Sequence, residues 1–338
     1  MIVVMKSGCA SGDVDHVVEL IRQYGLKDHV IVGTDRTVVA AIGDKRGLDM
    51  SAIENAPMVE AMVPILKPYK VASKEVKKDP SIIDVGNGHQ IGGRHFAVVA
   101  GPCSVESESQ LMKTAEAVKA AGAIGLRGGA FKPRTSPYEF QGLGEEGLKL
   151  LAKARDATGL SVCTEVMSVT QTELVAEYAD ILQIGTRNMH NFNLLSAVGK
   201  TGKPVMLKRG WSASLKEFLL AAEYIINEGN QNVILCERGI RTHEVYVRNT
   251  LPLAIVPAVK NESHLPIVID PSQGTGHAYM VPAMCKAGLA AGADGLLIEV
   301  HPDPQHAMTD GAQSITTEAF AETMTALRKI AAAIDREV

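Results

Sequence analysis

Side chains that bind anions or metal ions recur at the ends of short apolar runs from residue 95 onwards. In chain order they are Cys103, Arg127, Lys132, Arg134, Glu165, Arg187, Lys208, Arg209, Glu237, Arg238, Asp270, Glu299 and His301. Arginine binds phosphate or carboxylate through parallel hydrogen bonds, and lysine acts as a point charge. Clustered cations need anionic partners, because an unpaired buried charge is costly. The set predicts either a pocket for more than one anionic group or a series of ion pairs with neighbouring carboxylates.

A second candidate site combines Cys103, Glu299 and Asp310 with histidines nearby in the chain. A thiolate, an imidazole and carboxylates together suit a borderline divalent ion such as Mn, Fe, Co or Zn. A lone cysteine after a strand more often fills space in a core. Here Gly101 and Pro102 precede the thiol and are expected to form a turn that exposes it.

The apolar runs that precede these side chains have the composition of buried parallel strands. The eight runs are "FAVVAG", "IGLRGG", "LSVCTEV", "ILQIGT", "PVMLKRG", "NVILCERG", "PIVIDPS" and "GLLIEVH". Apolar spacing of three and four predicts helices between several of them, at Ser107–Ala121, Glu145–Thr158, Ser168–Tyr178, Ser214–Asn227 and Thr317–Ile334. Eight such units predict a (β/α)8 TIM barrel, in which chemistry sits where the strands end. An open doubly wound sheet is the alternative.

The first 66 residues predict a separate small domain of the ferredoxin-like type, with the order βαββαβ. Its predicted elements are "IVVMK", Asp13–Tyr24, "DHVIVG", "TVVAAIG", Leu48–Asn55 and "MVEAMVPIL". The Lys-rich, Pro-punctuated segment from residue 67 is interpreted as a linker. It leads to "IDVGNGHQIGG", a hairpin that could close the bottom of the barrel. The predicted organisation is a regulatory domain at 1–66, a linker and hairpin at 67–94, and a catalytic barrel at 95–338.

Composition excludes several classes of protein. The 338-residue chain has 4% aromatic residues and a net charge of −4, which argues against a nucleic-acid-binding surface. No apolar run is long enough to cross a membrane, and the N-terminus lacks the pattern of a secretion signal. The five cysteines are dispersed, as expected for a reduced protein of the cytoplasm.

Seven motifs in order resemble the 3-deoxy-D-arabino-heptulosonate 7-phosphate (DAHP) synthases, over nearly the whole chain. They are "AGPCSVES", "LRGGAFKPRTSPYEFQGLG", "QIGTRNMHNF", "LKRG", "ILCERGIRT", "NESHLPIVIDPS" and "IEVHPDP". The chain is most similar to the short microbial class with an N-terminal ferredoxin-like domain. The resemblance implies an aldol-type condensation of phosphoenolpyruvate with erythrose 4-phosphate, the first step of the shikimate pathway.

The resemblance also implies roles for single residues. Arg187, Lys208 and Arg238 would surround the phosphate of phosphoenolpyruvate, with Arg127 and Lys132 near its carboxylate and reacting end. Arg134 and Thr135 of "KPRTS" would hold the phosphate of erythrose 4-phosphate. Lys132 could donate a proton and Glu165 could assist water; for Glu165, an ion pair that holds an arginine is the alternative.

The metal set implied by the resemblance is a Cys, a His, a Glu and an Asp, and this chain departs from it. Cys103, Glu299 and Asp310 match, but Gln273 stands where His usually follows "DPS". His190 stands in "RNMHNF" where Gln is usual, so His190 could supply the missing imidazole, or the two changes could be unrelated. His277 is a further candidate. His301 is expected to orient a substrate or a metal ligand, or to be structural.

Three functions are compatible with these residues: a DAHP synthase, a condensing enzyme of the 3-deoxy-D-manno-octulosonate 8-phosphate synthase type, and a non-catalytic relative. "KPRTS" argues against the second, and the complete cation set argues against the third. His243 and Pro252 replace the usual Phe and Asp and could change the substrate geometry. The resemblance further implies feedback inhibition by an aromatic amino acid bound at the N-terminal domain, and a homotetramer.

Overall fold

The computed structural model describes residues 1–33, 36–43, 45, 48–63, 67–132, 136 and 138–338. The described chain divides into two compact units. One unit comprises Met1–Pro80 together with Asn261–His264, and the other comprises Ser81–Lys260 together with Leu265–Val338.

The N-terminal unit is a four-stranded antiparallel sheet with helices. Its elements are β1 (Ile2–Met5), α1 (Ser11–Gln23), β2 (Lys27–Val32), β3 (Thr37–Ile42), α2 (Ser51–Glu54) and β4 (Val59–Val63). The strands lie in the order β2-β3-β1-β4, and each neighbouring pair is antiparallel. Val3, Val17, Ile21, Val39 and Ile53 are completely buried between the sheet and the helices. The predicted ferredoxin-like order βαββαβ is confirmed.

Residues 67–80, interpreted from the sequence as a linker, pack tightly within this first unit. Tyr69, Val71, Ala72 and Val76 are buried. The Tyr69 hydroxyl donates a hydrogen bond to Glu262, and Lys67 Nζ lies 2.6 Å from the same carboxylate. Sequence reasoning missed this packing because the segment is Lys-rich, and its buried residues, which include the consecutive Val71 and Ala72, follow neither a helical nor a strand period.

The second unit begins with a short hairpin and continues as a closed barrel of eight parallel strands. The hairpin strands are β5 (Ile83–Asp84) and β6 (Gln90–Ile91). The barrel strands are β7 (Ala97–Gly101), β8 (Gly125–Arg127), β9 (Ser161–Glu165), β10 (Ile181–Ile184), β11 (Val205–Lys208), β12 (Val233–Glu237), β13 (Ile267–Ile269) and β14 (Gly295–Glu299). Every predicted apolar run contains one of these strands, so the barrel is confirmed and the open sheet is wrong.

Helices alternate with the barrel strands and cover them on the outside. They are α3 (Glu108–Ala121), α4 (Glu145–Thr158), α5 (Thr172–Tyr178), α6 (Phe192–Lys200), α7 (Leu215–Ile226), α8 (Ile255–Glu262), α9 (Pro271–Thr275), α10 (Val281–Ala290) and α11 (Thr317–Ala333). Side-chain caps define where two of these helices begin. At α3 the Ser107 side chain accepts from the N–H of Gln110. At α7 the Ser214 side chain accepts from the N–H of Glu217, and the Glu217 carboxylate accepts from the N–H of Ser214. The helix predicted from Ser168 begins as a 3-10 turn and becomes α-helical at Thr172.

The barrel interior is a packed apolar core. Alternate residues of the strands, such as Val99, Ile181, Met206 and Leu297, point inwards and are buried. Ile83 from the hairpin joins the same cluster, so the hairpin contributes to the core of the barrel. Within the described residues, no helix is both long and apolar enough to cross a membrane.

Gly295 allows β14 to lie close to β7 at the seam of the barrel. A Cβ atom at this position would lie 2.2 Å from the carbonyl oxygen of Ala97, the residue paired with it in the sheet. We predict that Gly295→Ala destabilises the barrel by about 1–3 kcal/mol, because the backbone must shift to relieve the clash. Differential scanning calorimetry would measure this as a lower midpoint of unfolding.

Gly12→Ala is the control for this substitution. Gly12 lies in α1, and a Cβ atom there would have nothing within 4 Å. Alanine also favours a helix over glycine. Equal midpoints for the two variants would contradict the proposed constraint at the seam.

Candidate active site at the carboxyl ends of the barrel strands

The final residues of five barrel strands are charged. They are Arg127 of β8, Glu165 of β9, Lys208 of β11, Glu237 of β12 and Glu299 of β14, and all except Glu165 are buried. Because parallel strands end at the same side of a barrel, these side chains share one rim. Asp270 follows β13 directly and is completely buried.

Asp270 is the anionic centre of a buried charge network. Its Oδ2 atom lies 2.6 Å from Lys208 Nζ and 3.8 Å from Arg127 Nη1, while Arg127 Nη2 lies 3.2 Å from Glu299 Oε1. Burial alone would raise the pKa of Asp270, but the charges of Lys208 and Arg127 outweigh it and lower the pKa below its ordinary value. Asp270 therefore remains a carboxylate and compensates the buried cations.

Arg209 and Glu237 form a separate pair with a structural role. Arg209 Nη1 lies 2.7 Å from Glu237 Oε2, and its Nε donates to the carbonyl oxygen of Ala213. Glu237 Oε1 accepts the N–H of Gly239 at 2.6 Å. Of the two alternatives predicted for the cations, an ion pair with a neighbouring carboxylate therefore describes Arg209. This arginine does not line the cavity described next.

A cavity of about 340 Å³ opens beside the network and is strongly cationic. Its described lining includes six cationic side chains, Lys132, Arg187, Lys208, Arg238, Arg241 and Arg248, and three carboxylates, Glu139, Glu165 and Asp310. The structure therefore brings Lys132, Arg187, Lys208 and Arg238 together, as the sequence predicted. An excess of positive charge around a cavity favours anionic ligands.

Several buried polar atoms at this end of the barrel have no hydrogen-bond partner among the described residues. They include Arg127 Nε and Nη1, Arg238 Nη1 and Glu299 Oε1. Such groups are rare in folded proteins, because an unpaired buried polar atom is costly. Burial lowers the pKa of Arg238 from its ordinary value, and the charge of Arg248 lowers it further. The site therefore lacks negative charge and hydrogen-bond acceptors that a ligand can provide.

Gln273 lies in the cavity wall and contacts two of the cations. Its Oε1 atom accepts hydrogen bonds from Lys208 Nζ at 3.2 Å and from Arg238 Nε at 3.3 Å. Its backbone N–H donates to Asp270, which caps α9. The side chain therefore orients two cations without neutralising them.

Cys103, Glu299 and Asp310 form the metal-like cluster that the sequence predicted. One possible ligand atom from each lies within 4.8 Å of the others. Lys132 Nζ donates to Cys103 Sγ at 3.0 Å, and the thiol donates to Asp310 Oδ2 at 3.3 Å. Burial, reinforced by Glu299, raises the pKa of the Cys103 thiol to about 11.

The chemistry of this cluster fits a divalent ion. One sulfur and two carboxylate oxygens are a donor set for borderline ions, and three protein ligands leave a position open for another ligand. Glu299 Oε1 lies 3.2 Å from Arg127 Nη2 but accepts no hydrogen bond from a described residue, so it keeps lone pairs for a cation in the cluster. A bound cation would also favour the thiolate form of Cys103 over the thiol.

The cluster contains no histidine among the described residues. His190 is exposed, and its ring meets Phe192 edge to face, with centroids 6.3 Å apart. His277 bonds the carbonyl oxygen of Tyr246. Neither ring joins the thiol and the carboxylates, so the structure gives the exchange between His190 and Gln273 no support.

His301 braces the loop that carries Asp310. Its Nε2 atom lies 3.2 Å from Glu106, and its Nδ1 accepts the N–H of Asp303. Glu106 also accepts the N–H of Met308, two residues before Asp310. Two roles were left open for His301, and these contacts support the structural role.

Glu165 lies in the cavity wall without an ion pair to any described residue. Gln183 Nε2 lies 3.5 Å from its Oε2 atom. A Cβ atom on Gly185 would lie 2.0 Å from Glu165 Oε1, so this glycine makes room for the carboxylate. Arg134 and Thr135, the predicted ligands of the second phosphate, lie outside the described residues.

Among the residues of the cavity that sequence reasoning missed are Trp211, Arg241 and Arg248. Arg241 and Arg248 belong to the loop after β12 and were not considered, because only residues at or next to strand ends were collected. Trp211 is the only tryptophan in the chain and follows "LKRG" directly, which is the signal that could have identified it.

Comparisons with known proteins show which family the chain belongs to. The model of the DAHP synthetase I family matches residues 73–335, and that of the DAHP synthase ferredoxin-like domain matches residues 1–67. Phospho-2-dehydro-3-deoxyheptonate aldolase of Thermotoga maritima is 48% identical over 338 residues, covering 100% of both chains. A 2-dehydro-3-deoxyphosphooctonate aldolase of Koribacter versatilis is 34% identical over 264 residues, covering 72% of this chain and 94% of that protein.

Solved structures give the same result. The crystal structure of the Thermotoga maritima enzyme, DAHP synthase, superposes with a TM-score of 0.80 at 48% identity and covers 100% of this chain and 98% of that one. A truncated form of the 3-deoxy-D-arabino-heptulosonate 7-phosphate synthase from the same organism covers 80% of this chain and 99% of its own, with a TM-score of 0.76 at 47% identity. With its two family matches in chain order and a full-length relative of this identity, the chain belongs to the DAHP synthetase I family.

Proposed function

We propose that this protein condenses phosphoenolpyruvate with erythrose 4-phosphate to give DAHP and phosphate, the first step of the shikimate pathway. The observation that carries the proposal is the cavity lined by six cations and three carboxylates, in which the buried Arg238 Nη1 atom has no hydrogen-bond partner among the described residues. Two phosphorylated substrates supply the anions that this cavity lacks. The full-length relative of 48% identity, named for a seven-carbon product, supports the same reaction.

The reaction joins a three-carbon to a four-carbon unit. The methylene carbon of phosphoenolpyruvate attacks the aldehyde carbon, and the aldehyde oxygen takes up a proton. Water adds to the carbon that bears the phosphate ester and gives up a proton. The C–O bond to phosphate then breaks, phosphate leaves with the electron pair and takes up the remaining hydroxyl proton of the added water, and a ketone remains. The protein must hold two anions side by side and move these protons.

Arg187, Lys208 and Arg238 are proposed to bind the phosphate of phosphoenolpyruvate. All three line the cavity, and Gln273 orients Lys208 and Arg238. Arg127 and Lys132 are proposed to bind the carboxylate and the reacting end, since both have side chains at the small recess beside Cys103. Fixed cations stabilise the negative charges of both substrates and lower their mutual repulsion.

Arg134 and Thr135 keep their proposed role as ligands of the erythrose phosphate. They follow Lys132 by two and three positions in the chain. The "KPRTS" sequence is therefore the proposed determinant of the aldose phosphate.

Lys132 and Glu165 are proposed to handle the two protons. Burial alone would lower the pKa of Lys132, but Cys103 and the carboxylates of Glu165 and Glu299 outweigh it and raise the pKa. The ammonium group therefore stays charged and can donate to the developing alkoxide. Glu165 lines both the main cavity and the recess and is free of ion pairs with the described residues, as a group that accepts a proton from water requires.

Cys103, Glu299 and Asp310 are proposed to hold a divalent ion, which could be Mn, Fe, Co or Zn. When bound, the ion would supply Lewis-acid polarisation of the aldehyde oxygen. Of the three residues considered for the fourth ligand, Gln273 lines the recess beside Cys103, whereas His190 and His277 line neither the recess nor the main cavity. We propose that Gln273 remains bonded to Lys208 and Arg238, which leaves three protein ligands.

A phosphate-release assay tests the function. We predict turnover with erythrose 4-phosphate that is lost with a chelator and restored by a divalent ion. A five-carbon aldose phosphate, the acceptor that an eight-carbon product requires, should react much more slowly. Preference for the five-carbon substrate would favour the octulosonate reaction instead, and no turnover with any added ion would contradict both.

The substitution Arg238→Met tests the proposed phosphate site in the same assay. Loss of a charged hydrogen-bond donor should lower kcat/KM for phosphoenolpyruvate roughly ten- to hundredfold. Arg94→Met is the control, because Arg94 is exposed and does not line the cavity. An equal effect of the two substitutions would contradict the proposed phosphate site.

Cobalt binding tests the metal ligands without depending on turnover. A thiolate bound to Co²⁺ gives a charge-transfer absorption band, which Cys103→Ser should abolish. Cys285→Ser should retain the band, since Cys285 is also buried and free but does not belong to the cluster. A band that survives in Cys103→Ser would contradict the proposed ligand set.

The N-terminal unit is proposed to bind an aromatic amino acid that inhibits the enzyme. Its match to the DAHP synthase ferredoxin-like domain, over residues 1–67, supports a regulatory module. We further propose a homotetramer located in the cytoplasm. The five free cysteines are compatible with a reducing compartment.

Removal of residues 1–66 tests the regulatory role. The truncated chain should begin at Lys67, because Lys67 and Tyr69 both bond Glu262 and the following residues are buried. We predict that activity remains and that inhibition by tyrosine or phenylalanine is lost. Loss of all activity in a chain whose circular dichroism is retained would instead give the domain a direct part in catalysis.

A further inference from the structure

Three arginines of the cavity surround the only tryptophan of the chain. The guanidinium carbons of Arg187, Arg238 and Arg241 lie 5.5, 5.9 and 4.7 Å from the centre of the Trp211 ring. All four side chains line the cavity. Each distance is within the range of a cation–π contact.

None of these three arginines forms an ion pair with a carboxylate of the described chain. Arg248, another arginine of the cavity, differs from these three because it lies 3.4 Å from the Asp310 carboxylate and donates a hydrogen bond to Gln313 at 2.6 Å. Arg238 retains a buried Nη1 atom without a partner. Three like charges near one ring repel each other, so a structural element must hold them in place until an anion binds.

An aromatic face suits this purpose better than a carboxylate. The indole attracts a guanidinium group electrostatically but carries no net charge, so the arginine keeps its charge for a ligand. A carboxylate would neutralise the arginine and compete with an incoming phosphate. The ring leaves the N–H groups of the guanidinium edge free to donate.

The backbone fixes the ring where it can act on the arginines. Trp211 lies in the turn between β11 and α7, three residues after Lys208. Its carbonyl oxygen accepts the backbone N–H of Arg241 at 2.9 Å, which ties this turn to the loop after β12. The ring and the arginine closest to it are therefore held together by a main-chain bond as well.

We propose that Trp211 is the positioning residue of the phosphoenolpyruvate phosphate site, where it holds Arg187, Arg238 and Arg241 without neutralising them. Arg241 accordingly joins the phosphate ligands. This inference rests on the proposed function for its substrate, but the anion-binding property is independent of turnover. It gives the phosphate site four cations, including Lys208, on three successive strand ends and the loops after them.

Trp211 reports on its own site, because the chain contains no other tryptophan. In the intact wild-type protein, titration with inorganic phosphate and with phosphoenolpyruvate should change the emission of Trp211, and each anion should compete with the other. Arg241→Met should weaken both affinities by about tenfold. Emission that stays constant while calorimetry detects phosphoenolpyruvate binding would overturn the proposal.

Two substitutions of Trp211 distinguish a role in positioning the arginines from a role in the stability of the fold. Trp211→Leu should raise KM for phosphoenolpyruvate about tenfold while kcat and KM for erythrose 4-phosphate change by less than about threefold. Trp211→Phe keeps an aromatic face and should recover most of the affinity. Phe192→Leu, which removes a half-exposed ring outside the cavity, should leave all three parameters at wild-type values.

The outcomes distinguish this inference from the proposed function. A protein that does not form DAHP but binds phosphoenolpyruvate in a Trp211-dependent manner by calorimetry would support the inference and contradict the function. A protein that forms DAHP with the same KM in Trp211→Leu as in the wild type would support the function and overturn the inference. If Trp211→Leu does not fold, Trp211→Phe and the wild-type emission decide between them.

Discussion

The candidate site depends on one buried carboxylate. Asp270 lies at the end of β13, is completely buried, and contacts Lys208 at 2.6 Å and Arg127 at 3.8 Å. It thereby joins cations from two other strands, and as the cap of α9 it also places Gln273. Without this anion, two fully desolvated cations would face each other across the barrel mouth, which is strongly unfavourable.

The described lining of the cavity has fewer carboxylates than cationic side chains. Two cations of the cavity pair with carboxylates, Lys208 with Asp270 and Arg248 with Asp310, and outside it Arg209 pairs with Glu237. Other cations contact neutral groups, since Gln273 accepts from Arg238 and the centre of the Trp211 ring lies within 5.9 Å of three guanidinium carbons. Neutral supports orient a cation and leave its charge available. The protein therefore uses carboxylates where the framework needs charge balance and uncharged groups where a ligand is to bind.

Much of the architecture could be predicted from the sequence, because it depends on local patterns. Eight apolar runs, each followed by polar residues, were enough for the barrel, and Ser107 and Ser214 marked the starts of two helices. The strand ends gave the candidate residues because every parallel strand ends on the same rim. Closed pairing of β14 with β7 brings Glu299 beside Gly101, near Cys103, which explains why residues almost 200 positions apart in the chain can share a cluster.

The partners within the site could not be predicted in the same way. Which carboxylate compensates Lys208 depends on side-chain directions in three dimensions, and so does the position of the Trp211 ring between arginines of two different loops. The exchange between His190 and Gln273 was inferred from two substitutions in the sequence. Residue types alone did not reveal that the ring of His190 faces Phe192 and not the cavity.

The side chain at position 273 determines whether Lys208 and Arg238 have a neutral hydrogen-bond acceptor beside them. A metal-bound imidazole uses its one acceptor nitrogen on the ion and presents an N–H donor elsewhere, which cannot bond a cation. An amide oxygen has two lone pairs, and Gln273 uses Oε1 for both Lys208 and Arg238. Gln273 therefore offers Lys208 and Arg238 an acceptor that a metal-bound histidine would not offer. Cys103, Glu299 and Asp310 provide a sulfur and two oxygens without Gln273, which is the donor set of a three-ligand site with an open position.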